Sequence, residues 1–130
     1  MANLKEQLQT YLCAHAGLAA IVSDRIYMAG YAPQAVAAPY ITYQKISSVR
    51  QYTHDGYSKT RTRMQITIFA ATGESAEDIL VQLYTAMEAM SEDAATTVDP
   101  VLQANEIDMY GYQEDLHQVP VDFIIWHKGV

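Results

Sequence analysis

The sequence is short of the residues on which most catalytic and metal chemistry depends. It holds one cysteine, Cys13, which excludes an intrachain disulfide and a cysteine-built metal cluster. Lysine and arginine number 8 against 15 acids, a formal charge of −7. A nucleic-acid grip is supplied mainly by basic groups that neutralise phosphates, so this balance argues against a dedicated DNA or RNA binder. It still allows a surface past which nucleic acid slides without sticking. No apolar run approaches the roughly 20 residues that span a bilayer. The N-terminal stretch MANLKEQLQTYL lacks the basic-then-apolar order of a signal peptide. The expectation is a chain with no membrane partner that works from a bacterial cytoplasm.

What is present suffices for one domain. Half of the 130 residues are hydrophobic, enough for a packed core, and residues 1–130 are read as a single unit. Leu4, Leu8, Tyr11, Leu12 and His15 share one helical face, which predicts a helix from about Asn3 to His15. Asn3 is its cap, with Glu6 in the capping-box position. Gly17 is expected to break it, leaving one further turn over Leu18–Val22 and a brief strand near Arg25–Met28. Residues 29–39 read as an Ala/Pro-rich loop. Tyr40–Val49 reads as a strand, residues 49–60 as a polar connection turning at Asp55-Gly56, and Arg61–Ala71 as an alternating strand.

A second helix is predicted where Ala76, Ile79, Leu80, Leu83, Tyr84, Met87 and Met90 form one stripe, with Ser75 as cap. After an acidic loop at 91–100, two strands are expected at about Val101–Tyr112 and Val119–His127. Hairpin-joined strands build antiparallel sheets. The predicted fold is therefore α+β, an antiparallel sheet of about four to five strands with two amphipathic helices on one face.

The search for chemistry returns little. His15, His54, His117 and His127 show no H-E-x-x-H or comparable ligand spacing. There is no G-x-S-x-G nucleophile turn, and Cys13 falls beside the apolar stripe of the first helix. Thr72-Gly73-Glu74-Ser75 carries an acid where a phosphate loop would hold its ligand, and reads as a helix start. The acids at Glu74/Glu77/Asp78, Glu92/Asp93 and Glu114/Asp115 read as solvated faces. No catalytic, cofactor-binding or metal-binding residue is assigned, and no cofactor is expected.

Tyrosine is the exception to this scarcity: ten, against two phenylalanines and one tryptophan. It joins a large contact area to a polar tip and is enriched in interfaces, although strands also favour it. Tyr52 and Tyr57 flank His54-Asp55-Gly56 in the exposed connection, with Arg50 and Arg61 nearby. Arg50, Tyr52, His54, Asp55, Tyr57 and Arg61 are therefore the candidate interface residues. The two arginines are suited to pairing with acids on a neighbour.

Taken in order, these pieces resemble a known family. They are LKEQLQTYL, then LAAIVSDRIY, the APYITY strand entry, the HDG turn, RMQITIFAAT running into ESAEDI, and the closing EDLHQVPVDFIIW. Together they span nearly the whole chain and are similar to the small tail-completion proteins of long-tailed phages and prophages. The resemblance implies a non-enzymatic virion subunit related to tail terminators. Such subunits form a ring, commonly a hexamer, that caps the tail tube, stops its polymerisation and supports head joining. It implies as partners further copies of the chain, the tail tube protein and a head-completion or connector protein, with DNA only in transit. The place implied is the virion tail, assembled in the host cytoplasm. Another neck or minor tail component is the nearest alternative. A small ligand-binding domain or enzyme, using His54, Asp55 or Glu114/Asp115 in a pocket, is the more distant one.

Overall fold

The computed structural model describes residues 3–23, 25–28, 38–90, 98–111 and 116–128. Its elements are helix α1 (Leu4–Ala14), helix α2 (Ala16–Val22) and strand β1 (Ile26–Met28), then strands β2 (Tyr40–Thr53) and β3 (Gly56–Ala70). Helix α3 (Gly73–Ala89) follows, and strands β4 (Val98–Glu106), β5 (Met109–Gly111) and β6 (Leu116–His127) close the chain. The sheet has six strands in the order β1-β2-β3-β6-β4, and β5 pairs with the start of β6.

The alternating pattern of the central strand sets the architecture. Met64, Ile66, Ile68 and Ala70 of β3 are fully buried. They stand beside Tyr43 and Ile41 of β2 and beside Phe123, Val121 and Val119 of β6 in antiparallel register. Directly paired residues share a face, so this register assembles one apolar surface. Onto it pack Leu4, Leu8 and Leu12 of α1, Leu18 and Val22 of α2, and Ala76, Ile79, Leu83, Ala86 and Met87 of α3. Each large side chain fully withdrawn from water contributes roughly 1.5–3 kcal/mol, which makes this layer the main source of stability.

The structure corrects the predicted fold in several places. The sheet is mixed rather than antiparallel, because β1 runs parallel to β2, with Ile26 opposite Ile41. Parallel pairing cannot be made by a hairpin, so the antiparallel expectation fails at this edge. Three helices, not two, are found among the described residues. The first break falls at His15 and not at Gly17. The His15 ring accepts the Leu18 N–H at 3.3 Å and caps α2, while Gly17 sits inside α2 under the Gln82 amide, where a Cβ would collide.

The cap of α3 is Thr72, whose hydroxyl accepts from the Ser75 N–H at 3.1 Å, rather than Ser75 itself. The strand expected over 101–112 starts earlier, at Val98, and divides at Ile107–Asp108. There the facing residue is Pro120, which accepts from the Ile107 N–H at 3.0 Å but has no N–H to return. Most of the predicted 29–39 loop, Glu92/Asp93 and Glu114/Asp115 lie outside the described residues.

Candidate functional site: a basic hairpin arm

The predicted polar connection at 49–60 is strand almost throughout. Strands β2 and β3 continue in register out to Thr53 opposite Gly56, leaving only His54 and Asp55 as the turn. Gly56 has φ +111°, a conformation open to glycine and costly for other residues. The Thr53 hydroxyl accepts from the Asp55 N–H at 3.3 Å and fixes the corner. From Ile46 to Thr53 every residue of β2 is exposed. Strand β6 flanks β3 as far as Thr60, and Thr60 and Thr62 are still buried, so the hairpin becomes a bare two-stranded ribbon only at its tip, over residues 51–59. A register irregularity between Lys45 and Ser47 coincides with the point beyond which β2 is exposed throughout. A second, between Gln51 and Tyr52, lies near the tip, and such irregularities re-aim side chains and sharpen twist.

Three of the candidate interface residues come together on this arm. Tyr52 and Tyr57 are cross-strand partners whose rings meet edge-on at 6.3 Å. The Arg50 guanidinium lies 4.1 Å above the Tyr57 ring, a cation–π geometry. The Tyr57 hydroxyl shares a 2.8 Å hydrogen bond with Thr60, so Tyr57 and Arg50 are held while Tyr52 stays 67% exposed. Arg61 stands on the opposite face, paired in register with Val49 and Trp126. His54 and Asp55 occupy the solvent-exposed turn and converge with no catalytic partner, which removes the ground for reading them as a pocket pair.

At the base of the arm, His127 is buried and bonds through Nε2 to Thr62 Oγ1 at 2.7 Å. Thr62 in turn meets Ser48 Oγ at 3.1 Å. Burial holds the His127 pKa below its ordinary value, and the charge of Lys45 adds to that. The four histidines serve separate places, and among the described residues no three His, Cys, Asp or Glu side chains gather as a metal site. Cys13 is half-buried and receives the Gln9 amide at 3.2 Å.

Charge is sorted in space as the net figure does not reveal. Lys45, Arg50, Lys59, Arg61 and Arg63 are five of the chain's 8 basic residues, and all lie on this hairpin, where Asp55 is the one acid between Tyr40 and Ala70. The spacing of these residues was visible in the sequence, but a chain-wide total of −7 averages it away. On the uncovered sheet face, Arg63 reaches Asp122 of β6 at 2.5 Å.

Sequence reasoning also missed a cleft at the far end of the sheet. It measures about 280 Å³ and is walled by Glu77 of α3, Asp108, Met109 and Tyr110 around β5, and His117 and Val119 of β6. The Tyr110 and His117 rings pack at 4.8 Å, and Met109 and Ile107 are exposed beside them. On the flank of α3, the Tyr84 hydroxyl donates to Glu106 at 2.5 Å. Burial and that hydrogen bond push the Tyr84 pKa up to about 12. The α3 wall of the cleft, at Glu77, and its β5–β6 wall, from Asp108 on, lie more than thirty residues apart in the chain, so no local motif could have announced it.

Comparison with known proteins follows the same direction. The family model described as tail completion protein gp17 matches residues 6–128. A chain in the virion of a native gene transfer agent (GTA) particle shares the fold, with a TM-score of 0.76 at 15% identity. The alignment covers 97% of this chain and 95% of that one. No curated protein matches the sequence.

Proposed function

The chain belongs to the tail completion protein gp17 family, and from that premise we propose that it closes into a ring, a hexamer, on the end of the tail tube. There the ring stops tube polymerisation and supports joining to the head. Membership supports a structural role in a phage tail. The observation that carries the finer reading is the hairpin end at 46–60, where β2 is exposed throughout and Arg50, Tyr52, Tyr57 and Lys59 are gathered.

A bare two-stranded ribbon is marginal in water, so such an extension acquires a purpose when a neighbour covers it. Tyr52, Tyr57 and Arg50 supply the contact types that dominate interface energetics. The acids that outnumber bases elsewhere in the chain suit a lumen through which DNA passes without adhering. Assembly then takes place in the host cytoplasm, with the tail tube protein below and a head-completion or connector protein above.

The test is assembly. Full-length protein is sized by chromatography with light scattering and then added to purified tail tubes. Ring-sized particles, or capping of tube ends, is the expected result. A chain that stays monomeric and leaves tubes uncapped would sink the proposal in favour of another neck or minor tail role. Replacing Tyr52 and Tyr57 with alanine is expected to weaken self-association or head joining while the fold stays intact. Unchanged assembly in that variant would remove the tyrosine pair from the interface.

A further inference from the structure

The two ends of the sheet are chemically complementary. At one end the sheet narrows to the two-stranded tip of the arm, with Arg50 at its base on one face and Arg61, beside Trp126 of β6, on the other, and Ile46, Val49 and Tyr52 exposed around them. At the opposite end lies the cleft walled by Glu77 and Asp108, with no lysine or arginine in its lining and Met109 and Tyr110 exposed at its rim. Strand β3 joins the two, from Gly56 at the tip to Ala70 opposite His117. At about 3.3 Å per residue that is a separation of roughly 45 Å. One molecule cannot bring its own arm to its own cleft.

Both ends are also left wanting within the chain. Among the described residues Arg61, Glu77 and Asp108 make no ion pair. Arg50 meets only a tyrosine ring. The cleft measures about 280 Å³ and is open to one side. It is sized for an aromatic side chain or two delivered by another protein.

We infer that the arm of one copy docks into the Glu77/Asp108 cleft of the next, Arg50 and Arg61 meeting these acids while Tyr52 packs on Met109 and Tyr110. The contact joins two different patches, so it is head-to-tail and closes into a ring when the rotation per subunit allows. It rests on the ring reading above and names the surface on which that reading depends. The complementarity is between two parts of one sequence, which is what selects a second copy as the occupant. A basic, tyrosine-bearing ribbon could also meet a phosphate backbone, and the experiment separates the two.

Two charge-reversed variants of the full chain carry the test, Arg50→Glu with Arg61→Glu and Glu77→Lys with Asp108→Lys. All four positions are exposed, and an unchanged melting midpoint checks that each variant folds. Sedimentation at about 50 mM and about 500 mM salt reads self-association, with surface charge contacts weakening as salt rises. Each variant alone is expected to associate at least about tenfold more weakly than the unmodified chain at low salt.

The decisive sample is the equimolar mixture. The reversed, acidic arm of one variant fits the reversed, basic cleft of the other, and the unreversed arm fits the unreversed cleft, so every complementary contact joins the two types and the mixture recovers association through alternating subunits. Failure of the mixture to recover, or full association of either variant alone, overturns the inference. So does an unmodified chain that is monomeric up to about millimolar concentration at low salt. If arm reversal abolishes duplex DNA binding and leaves self-association untouched, the arm is a nucleic-acid contact instead. A chain that caps purified tail tubes without arm–cleft association leaves the ring reading standing. Arm–cleft association without capping would leave this contact standing and remove the tail-end role.

Discussion

The two halves of the β2–β3 hairpin differ in a way that explains most of the molecule. In the inner half Ile41 and Tyr43 face Ile68 and Ile66, and strict alternation puts apolar residues under the helices. In the outer half, beyond Lys45, β2 loses the alternation and is exposed throughout, while β3 keeps it as far as Thr60, where its pairing with β6 ends. The backbone ladder is continuous across the boundary, so hydrogen bonding cannot be what distinguishes the halves. Burial does. The inner half stabilises the domain, and the outer half is held by the tyrosine–arginine stack and the turn at Gly56.

The largest expected effect breaks the inner half. Ile66 is fully buried between Tyr43 and Val121 in register, and Ile66→Ala should cost about 2–5 kcal/mol through lost burial and the cavity left behind. Denaturant unfolding measures it. The same measurement on Tyr52→Ala, at the exposed tip, should shift stability by no more than about 0.5 kcal/mol. Comparable losses at the two positions would mean the arm is part of the core after all, and the contrast would dissolve.

A smaller effect sharpens the boundary. Gly56 has φ +111° and open space around the position of a Cβ, so Gly56→Ala meets no clash and costs backbone strain alone, about 1–2 kcal/mol. That cost should stay in the arm. Hydrogen exchange at the Tyr52 and Tyr57 amides is expected to quicken, with Ile66 and Ile68 amides unchanged. Equal acceleration in both sets would show that arm and core open as one unit.

Legibility in the sequence follows the same division. The stripe on α3 and the alternation of Met64, Ile66, Ile68 and Ala70 were readable because one covered face imposes a period. The arm read as a loop because β2, exposed from Ile46 to Thr53, carries no such period. Strand β1, three residues long, carries too little pattern to reveal parallel pairing with β2, which depends on the path of the crossover. Arg50, Tyr52 and Tyr57 could be singled out from composition and proximity to the Asp55-Gly56 turn. Glu77, Asp108 and His117 could not, since their meeting is made by the register of β5 on β6 and the packing of α3. Arg63 with Asp122 was hidden for the same reason, being a cross-strand pair 59 positions apart.

The smallest effect lies at the junction of the two halves, where His127 pairs with Thr60 and bonds Thr62. Its pKa in the folded chain is lowered, first by burial and then by Lys45, so the unfolded chain binds the proton more readily. Stability contributed by the neutral ring is therefore fully present above the unfolded value of about 6.5 and declines as pH falls below it, levelling once the folded form also protonates. The expected outcome is a melting midpoint lower at about pH 5.5 than at about pH 7.5. The drop should be smaller in His127→Gln, whose amide keeps a hydrogen bond to Thr62 but does not titrate. Carboxylates elsewhere add their own acid dependence, so the difference between the two profiles is the quantity to read. Parallel profiles would mean that His127 exchanges protons as freely as an exposed ring, and that the junction opens together with the arm rather than closing with the core.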